Sequence, residues 1–287
     1  MTSSQVTIEE YGKYETAWCP GCGNFGILNS LKQALVACGL APHQVLLVSG
    51  IGQAAKTPHY LKANVFNGLH GRSLPVAIGA KLANPELTVI AESGDGCMYG
   101  EGGNHFLAAL RRNLDITILT HDNQVYGLTK GQASPTSDQG FATKAQPHGV
   151  VATPFNPVAV AVTMGASLVA RGYSGMPGHL TKLIAQAIQH RGTALVDILQ
   201  PCVVFNKVNT YRWYKERCYE LNADYDPRDR DQALRTALEF GGRIPLGVIY
   251  KTHKPLFEEQ FAVLKKGPLA RQEVPQDGLQ QLLRHYT

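Results

Sequence analysis

Two sets of side chains in this sequence have the types and spacing to do chemistry. The first is Gly94-Asp95-Gly96 together with Asn123, 28 positions beyond Asp95. A carboxylate and a carboxamide are hard oxygen donors, suited to a divalent cation that bridges a diphosphate and takes about six oxygen ligands. Asp95, Asn123 and a main-chain carbonyl near Val125 supply the protein share of that shell. Gly94 and Gly96 leave the backbone open to the diphosphate, and a helix expected to begin near Gly102 to Asn104 adds free N–H donors and a favourable dipole end. The second set is Cys19 and Cys22 in CPGC, where Pro20, Gly21 and Gly23 keep the chain out of helix and let it fold tightly around whatever the thiolates hold. Six cysteines in 287 residues are too few for a secreted disulfide scaffold, so this CxxC reads as metal-binding or redox-active.

These residues need elements that bring them to one edge. LTVIAESGDG predicts a strand, GNHFLAALRRN a helix and DITILTHDN the next strand. This βαβ unit implies a doubly wound, mostly parallel α/β sheet, whose ligands bind beyond the carboxyl ends of the strands. Asp95 and Asn123 both fall at such ends. Upstream, Asn24 is placed to cap a helix with an apolar face of Ile27, Leu28, Leu31, Ala34, Leu35 and Cys38, and QVLLVSGIG reads as a buried strand. Gly50, Gly52 and Ala55 match a dinucleotide fingerprint, but Pro58 interrupts the required helix and no acidic residue stands about 20 positions on. Ser73 is expected to cap a small-residue helix that carries Pro75 in its first turn and ends near Asn84.

After Asn123 a long Gly-, Ser-, Thr- and Pro-rich stretch without periodicity reads as a functional loop. A second α/β repeat follows: NPVAVAVTMGA as helix, SLVARGYS as strand, PGHLTKLIAQAIQHRG as helix and TALVDILQPC as strand, which puts Cys202 on the same edge as Asp95 and Asn123. A short helix is expected around Ala233 to Phe240. The part from IPLGVIYK onward shows no second core pattern and reads as a tail on this domain or on a partner. His121 reads as a strand-end hydrogen-bonding group.

The composition excludes several classes. A net charge of +5 without clustering gives nucleic acid little to bind. No apolar run reaches the roughly 20 residues of a membrane span, and the N-terminus lacks a basic-then-apolar signal, so a soluble, cytoplasmic protein is expected.

GDG followed by NQVYGLTKGQASPTS resembles the thiamine diphosphate motif of the 2-oxoacid:ferredoxin oxidoreductases. WCPGCGNFG, GLHGR, the helix ending in KLANP, GGNHFLAALRRN and DILQPC resemble the same family in order, from roughly Tyr11 to Asn206. YDPRDRDQAL and IPLGVIYK add a weaker echo. The pattern looks like the β subunit of the two-subunit type.

The resemblance implies a thiamine diphosphate-binding (PP-domain) fold over residues 1–205 and a C-terminal extension, 206–287, on the domain or the partner subunit. It implies Asp95, Asn123 and the Val125 carbonyl as Mg²⁺ ligands, with Gly94, Gly96, His70 and Leu128 beside the cofactor and Lys130 near the substrate carboxylate. The plain alternative for Lys130 is a solvated loop cation. Such proteins convert a 2-oxoacid and coenzyme A to acyl-CoA and CO₂, and pass two electrons through an iron-sulfur cluster to ferredoxin. The family's activating glutamate lies on the α subunit, so a heterodimer or a dimer of heterodimers is implied, inactive without its partner.

The family's [4Fe-4S] site uses four cysteines. Cys19, Cys22 and Cys202 match three, and Gln53 stands where the fourth belongs. The fourth ligand is left open among Gln53, His59 and Cys97, with a three-iron cluster, or no cluster and a zinc site or free thiols instead, as further readings. Two rival functions stay in view: a non-redox thiamine diphosphate-dependent 2-oxoacid decarboxylase subunit, and a non-catalytic assembly subunit with a zinc site.

Overall fold

The computed structural model describes residues 6–273 and 277–286. Apolar β-branched runs form strands and the stretches between them form helices. In chain order these are α1 (Asn24–Ala37), β1 (Val45–Ser49), β2 (Asn64–Asn67), α2 (Ser73–Ala83), β3 (Thr88–Gly94), α3 (Gly103–Arg112), β4 (Ile116–Asp122), β5 (Val125–Tyr126), β6 (Gln132–Ala133), α4 (Pro157–Thr163), β7 (Leu168–Tyr173), α5 (Pro177–Gln189), β8 (Ala194–Leu199), α6 (Tyr211–Arg217), β9 (Cys218–Glu220), α7 (Arg230–Leu238), β10 (Ile244–Lys251) and α8 (Gly278–Arg284).

Eight strands form one sheet in the order β2-β1-β3-β4-β8-β7-β10-β9, and β5 pairs with β6 as a separate hairpin. The first six of these strands are mutually parallel. β10 runs antiparallel to β7, with β9 parallel to β10. The chain leaves β1 for β2 on one side and returns to place β3 on the other, which is the strand-order reversal where open α/β sheets bind ligands. Registers Ser49↔Glu92, Gly94↔His121 and Asp122↔Leu199 align the carboxyl ends of β1, β3, β4 and β8. Gly50, Asp95, Asn123 and Gln200 therefore all issue from one edge.

Both faces are covered, as a parallel sheet requires. Ile27, Leu31 and Leu35 of α1 meet Leu180 and Ile184 of α5 on one face. Leu74 of α2, Phe106 and Leu110 of α3, Val158 of α4 and Ala233 of α7 fill the other. Each fully buried Leu, Ile or Phe contributes about 1.5–3 kcal/mol, so these two layers hold the strand ends in place beneath the site loops. Among the described residues no helix is long and apolar enough to cross a membrane.

Several local expectations are corrected. Gly23 caps α1, and Asn24 is its first helical residue, buried and turned to another use. Arg72, in place of Ser73, precedes α2. The helix expected near Gly102 to Asn104 is α3, starting at Gly103, and what was not expected is the π-helical turn, Gly96–Glu101, that joins it to Asp95. IPLGVIYK is no tail: it is β10, a core strand whose Ile244 and Leu246 pack with Tyr173, Leu199 and Tyr214.

Candidate active site

Two adjoining cavities open at the carboxyl edge of the sheet. The first is lined by Gly94, Asp95 and Gly96 from the end of β3, by Asn123, Val125, Tyr126, Leu128 and Thr129 after β4, and by His70, Cys97, Ala54, Ile51 and Gly52. The second is lined by Cys19, Cys22 and Cys202, together with Gln53, Gln200, Trp18 and Phe205. Asn123 belongs to both walls.

In the first cavity the fold presents Asp95 at the N-terminus of the Gly96–Glu101 turn. π-Helical turns often mark functional sites, and a helix N-terminus favours anionic groups. Asp95 is buried, and its Oδ2 accepts hydrogen bonds from Ser134 Oγ and, at 2.7 Å, from Thr136 Oγ1. Thr136 Oγ1 also lies 2.7 Å from Asp122 Oδ1. A hydroxyl carries one proton, so it cannot donate to both acids. Burial and the neighbouring Asp197 and Asp95 hold the Asp122 carboxyl well above the usual range. Thr136 Oγ1 thus stands between the two acids, within hydrogen-bond distance of both. Burial raises Asp95 as well, and these hydroxyl and backbone donors pull it back.

Behind this pair, Asp197 accepts from Tyr99 Oη at 2.7 Å. Burial pushes its carboxyl up to about 6, against the pull of the buried Arg171. Asn123 is fixed differently: its Oδ1 accepts the Val125 N–H at 3.1 Å, and Gln124 between them takes a left-handed φ of 59°. A strained backbone of this kind persists only where its surroundings hold it. Ser137 donates to the Gln124 carbonyl at 2.6 Å, and Gln124 Nε2 to the Thr136 carbonyl at 2.9 Å. The long loop after Asn123 is thus the clamp that positions Asp95 and Asn123.

The remaining expected residues fall as follows. Gly96 lies beneath the Tyr126 ring, where an added Cβ would stand 2.2 Å from Tyr126 Cε1. Gly94 has no such neighbour closer than 3.8 Å and faces the cavity. His70 sits at the mouth with Nδ1 2.9 Å from Glu101 Oε2. Leu128 lines the rim, while Lys130 stands exposed in the β5–β6 turn at φ 83° and does not line the cavity. Cys97 is buried, and its sulfur accepts the Gly71 N–H at 3.1 Å and the Ile51 N–H at 3.4 Å. It ties the loop after β1 and the His70 turn to the start of the helix.

In the second cavity Cys22 Sγ accepts from Gln200 Nε2 at 3.3 Å. Burial pushes the Cys22 thiol up to about 11, with Cys202 and Cys19 adding to the rise. The Trp18 indole N–H donates to the Gln53 main-chain carbonyl at 2.8 Å. Gln53 Oε1 is buried and meets no hydrogen-bond donor among the described residues. His59 is exposed and lies outside the cavity wall. Among the described residues no three His, Cys, Asp or Glu side chains are gathered closely enough to hold a single metal ion.

Sequence reasoning missed Ser134, Thr136, Asp122, Asp197 and Arg171. The only local signal for the first two was the hydroxyl-rich SPTS. His121, one residue from the end of β4, is hydrogen-bonded there as expected, and it is buried, with Nε2 2.8 Å from the buried Glu92 Oε1.

Comparison with known proteins bears on the family and the fold. Residues 43–198 match the family model of the thiamine pyrophosphate enzyme C-terminal TPP-binding domain, and residues 202–266 match that of the C-terminal part of the pyruvate ferredoxin oxidoreductase beta subunit. A 2-oxoacid:ferredoxin oxidoreductase subunit beta from Sulfolobus sp is 46% identical over 258 residues, 85% of each chain. Subunit beta of 2-oxoacid:ferredoxin oxidoreductase 2 from Aeropyrum pernix is 46% identical over 262 residues, 87% of this chain and 85% of the relative. The structure of 2-oxoglutarate:ferredoxin oxidoreductase from Magnetococcus marinus, with 2-oxoglutarate, coenzyme A and succinyl-CoA bound, superimposes with a TM-score of 0.91 at 34% identity, covering 98% of this chain and 96% of that one. The chain belongs to the beta subunits of the 2-oxoacid:ferredoxin oxidoreductases, and its sheet is their thiamine diphosphate-binding domain.

Proposed function

We propose that this subunit holds thiamine diphosphate through Mg²⁺ on Asp95, Asn123 and the Val125 carbonyl, and an iron-sulfur cluster on Cys19, Cys22 and Cys202. With an α subunit it oxidatively decarboxylates a 2-oxoacid, gives the acyl group to coenzyme A and sends two electrons to ferredoxin, or runs the reverse. The observation that carries this reading is Asn123, which borders both the diphosphate cavity and the cysteine cavity. A residue common to both walls supports an electron-accepting centre beside the electron-releasing one.

The donor sets suit both groups. Oxygen donors and a helix N-terminus match a magnesium diphosphate, and three thiols in a partly apolar wall match iron and sulfide. When bound, thiamine diphosphate supplies the electron sink for decarboxylation. Around it, Thr136 and Ser134 orient Asp95, the turn at Gln124 orients Asn123, and Glu101 orients His70 at the mouth. Tyr126 screens Gly96 from water.

The α subunit has a suitable seat. Edge strand β2 is exposed along its whole length, with Val65, Phe66 and nearby Leu69 uncovered on the side of the cavity mouth that includes His70. Exposed apolar side chains grouped on one patch mark interaction surfaces. The stretch 206–287 completes the sheet through β9 and β10 and leaves the cofactor residues within 1–205.

A non-redox decarboxylase has no use for the three cysteines that line the second cavity, and among the described residues no three His, Cys, Asp or Glu side chains are grouped tightly enough for a zinc staple. The test is an anaerobic assay of the co-expressed α and β subunits with coenzyme A and a viologen, comparing 2-oxoglutarate, the acid bound in the Magnetococcus protein, with pyruvate and longer 2-oxoacids. Viologen reduction dependent on coenzyme A supports the proposal. Decarboxylation without it, in a complex lacking iron and acid-labile sulfide, establishes the non-redox enzyme.

A further inference from the structure

Among the described residues the second cavity has three thiols and two buried carboxamide oxygens with no partner, Gln53 Oε1 and Gln200 Oε1, and of the two side chains Gln200 is already committed to a thiol, its Nε2 donating to Cys22 Sγ. Gln53 Oε1 is buried and receives no hydrogen bond. A buried acceptor left in that state costs about 1–3 kcal/mol, which makes an orphan of this kind a pointer to a missing ligand. The residue is held where it is. Trp18 donates to its main-chain oxygen, and the 3₁₀ turn Ala54–His59 begins immediately after it. Trp18 is itself packed edge-on against Phe25 and Tyr60.

The other two residues that could complete the set are removed by position. Cys97 lines the diphosphate cavity, and its sulfur already accepts two backbone N–H groups. His59 is exposed and is not part of the cysteine cavity.

We propose that the Gln53 carboxamide oxygen is the fourth ligand, so that the cluster of this subunit has one iron outside thiolate ligation and gives that iron up reversibly. The inference rests on the cluster reading above and deepens it. A neutral carboxamide oxygen is a hard, weak donor beside three soft thiolates, and iron-sulfur clusters prefer thiolate. The iron bound to Gln53 is then the first to leave on oxidation. With ferricyanide as the one-electron oxidant, [4Fe-4S]²⁺ becomes [3Fe-4S]⁺, Fe²⁺ is released and ferricyanide is reduced to ferrocyanide. Added Fe²⁺ and one electron from dithionite reverse the step. Replacing a thiolate by a neutral oxygen also makes the cluster one negative charge poorer, which raises its reduction potential relative to a four-cysteine site.

The test uses the co-expressed α/β complex, purified anaerobically and assayed for iron and acid-labile sulfide. Ferricyanide titration is followed by electron paramagnetic resonance in the native protein, Gln53→Cys and Gln53→Ala. The expected result is a [3Fe-4S]⁺ signal in the native protein that disappears on adding Fe²⁺ and dithionite. In Gln53→Cys the signal falls by at least about tenfold, the change that a ligand difference of about 1.4 kcal/mol makes in an equilibrium, and the potential drops. Gln53→Ala is expected to carry the three-iron form as purified. If all three proteins lose iron equally and share one potential, Gln53 is not a ligand, although the cluster itself stands. A complex without iron or sulfide in any of the three overturns the inference together with the cluster reading.

Discussion

Asn24 Oδ1 lies 2.7 Å from His121 Nδ1, with both side chains buried. Asn24 follows Cys22 by two positions, and His121 precedes Asn123 by two. The contact therefore joins the first turn after the CPGC loop to the strand that delivers Asn123. His121 Nε2 continues the chain to Glu92 at 2.8 Å, and Glu92 Oε1 also accepts from Thr57 Oγ1. The cysteine loop, β3, β4 and the 3₁₀ turn after Gln53 thus share one buried polar network.

His121→Leu leaves Asn24 and Glu92 in the core without their ring partner. A buried polar group left unsatisfied costs about 1–3 kcal/mol. Urea unfolding of the α/β complex should show a loss of that size, with lower thiamine diphosphate affinity and lower iron content together. A change under about 1 kcal/mol, the worth of an exposed pair, would separate the two sites.

Thr136→Val removes the hydroxyl that links Asp122 to Asp95 while keeping its volume. Hydrogen bonds to charged groups contribute about 1.5–3 kcal/mol, so calorimetry should find Mg²⁺-thiamine diphosphate binding weaker by about tenfold or more. Affinity equal to the native protein's would show that Ser134 alone orients Asp95.

Asp197 sets a pH dependence. Its folded carboxyl is raised to about 6 by burial, above the unfolded value of about 3.9. Between these values the folded chain binds more protons than the unfolded one, so stability falls as pH rises from about 4 to 6 and is level above. The loss attributable to Asp197 is about 3 kcal/mol. Denaturant midpoints across that range should decline in the native protein and lose much of the slope in Asp197→Asn.

The cysteines differ in reactivity before any metal is loaded. Cys19 is exposed, whereas burial pushes Cys22 up to about 11. Only the thiolate alkylates, so at pH 8 Cys22 should react with iodoacetamide about a hundredfold more slowly than an ordinary exposed thiol. Mass spectrometry of metal-free protein should find Cys19 labelled first; equal rates would mean that the loop opens in solution.

The frame of this site was legible because it is local. β3 into Gly94-Asp95-Gly96, α3, and β4 into Asn123 each follow from a short pattern, and together they fix one edge. The long loop was legible only as a loop: that Ser134 and Thr136 reach back to Asp95 is a contact across about 40 positions, which no periodicity encodes. Asp122, Asp197 and Arg171 were hidden for a related reason, since each sits in an otherwise apolar strand and is explained only by its neighbours in the sheet. β10 was obscured by Pro245 and Gly247, which demote a strand pattern. The sheet tolerates them because Gly247 takes φ 138° and a register shift follows between Val248 and Tyr250.

The proposed metal-dependent diphosphate clamp of Asp95 and Asn123 has its decisive test in isothermal titration of thiamine diphosphate into the α/β complex. The titration is run with Mg²⁺ present and after chelation, for the native protein, Asp95→Ala and Asn123→Ala. Saturable binding that requires Mg²⁺ in the native complex and is lost in both variants is the expected result. Binding that survives chelation, or that either variant retains at native affinity, would overturn the clamp.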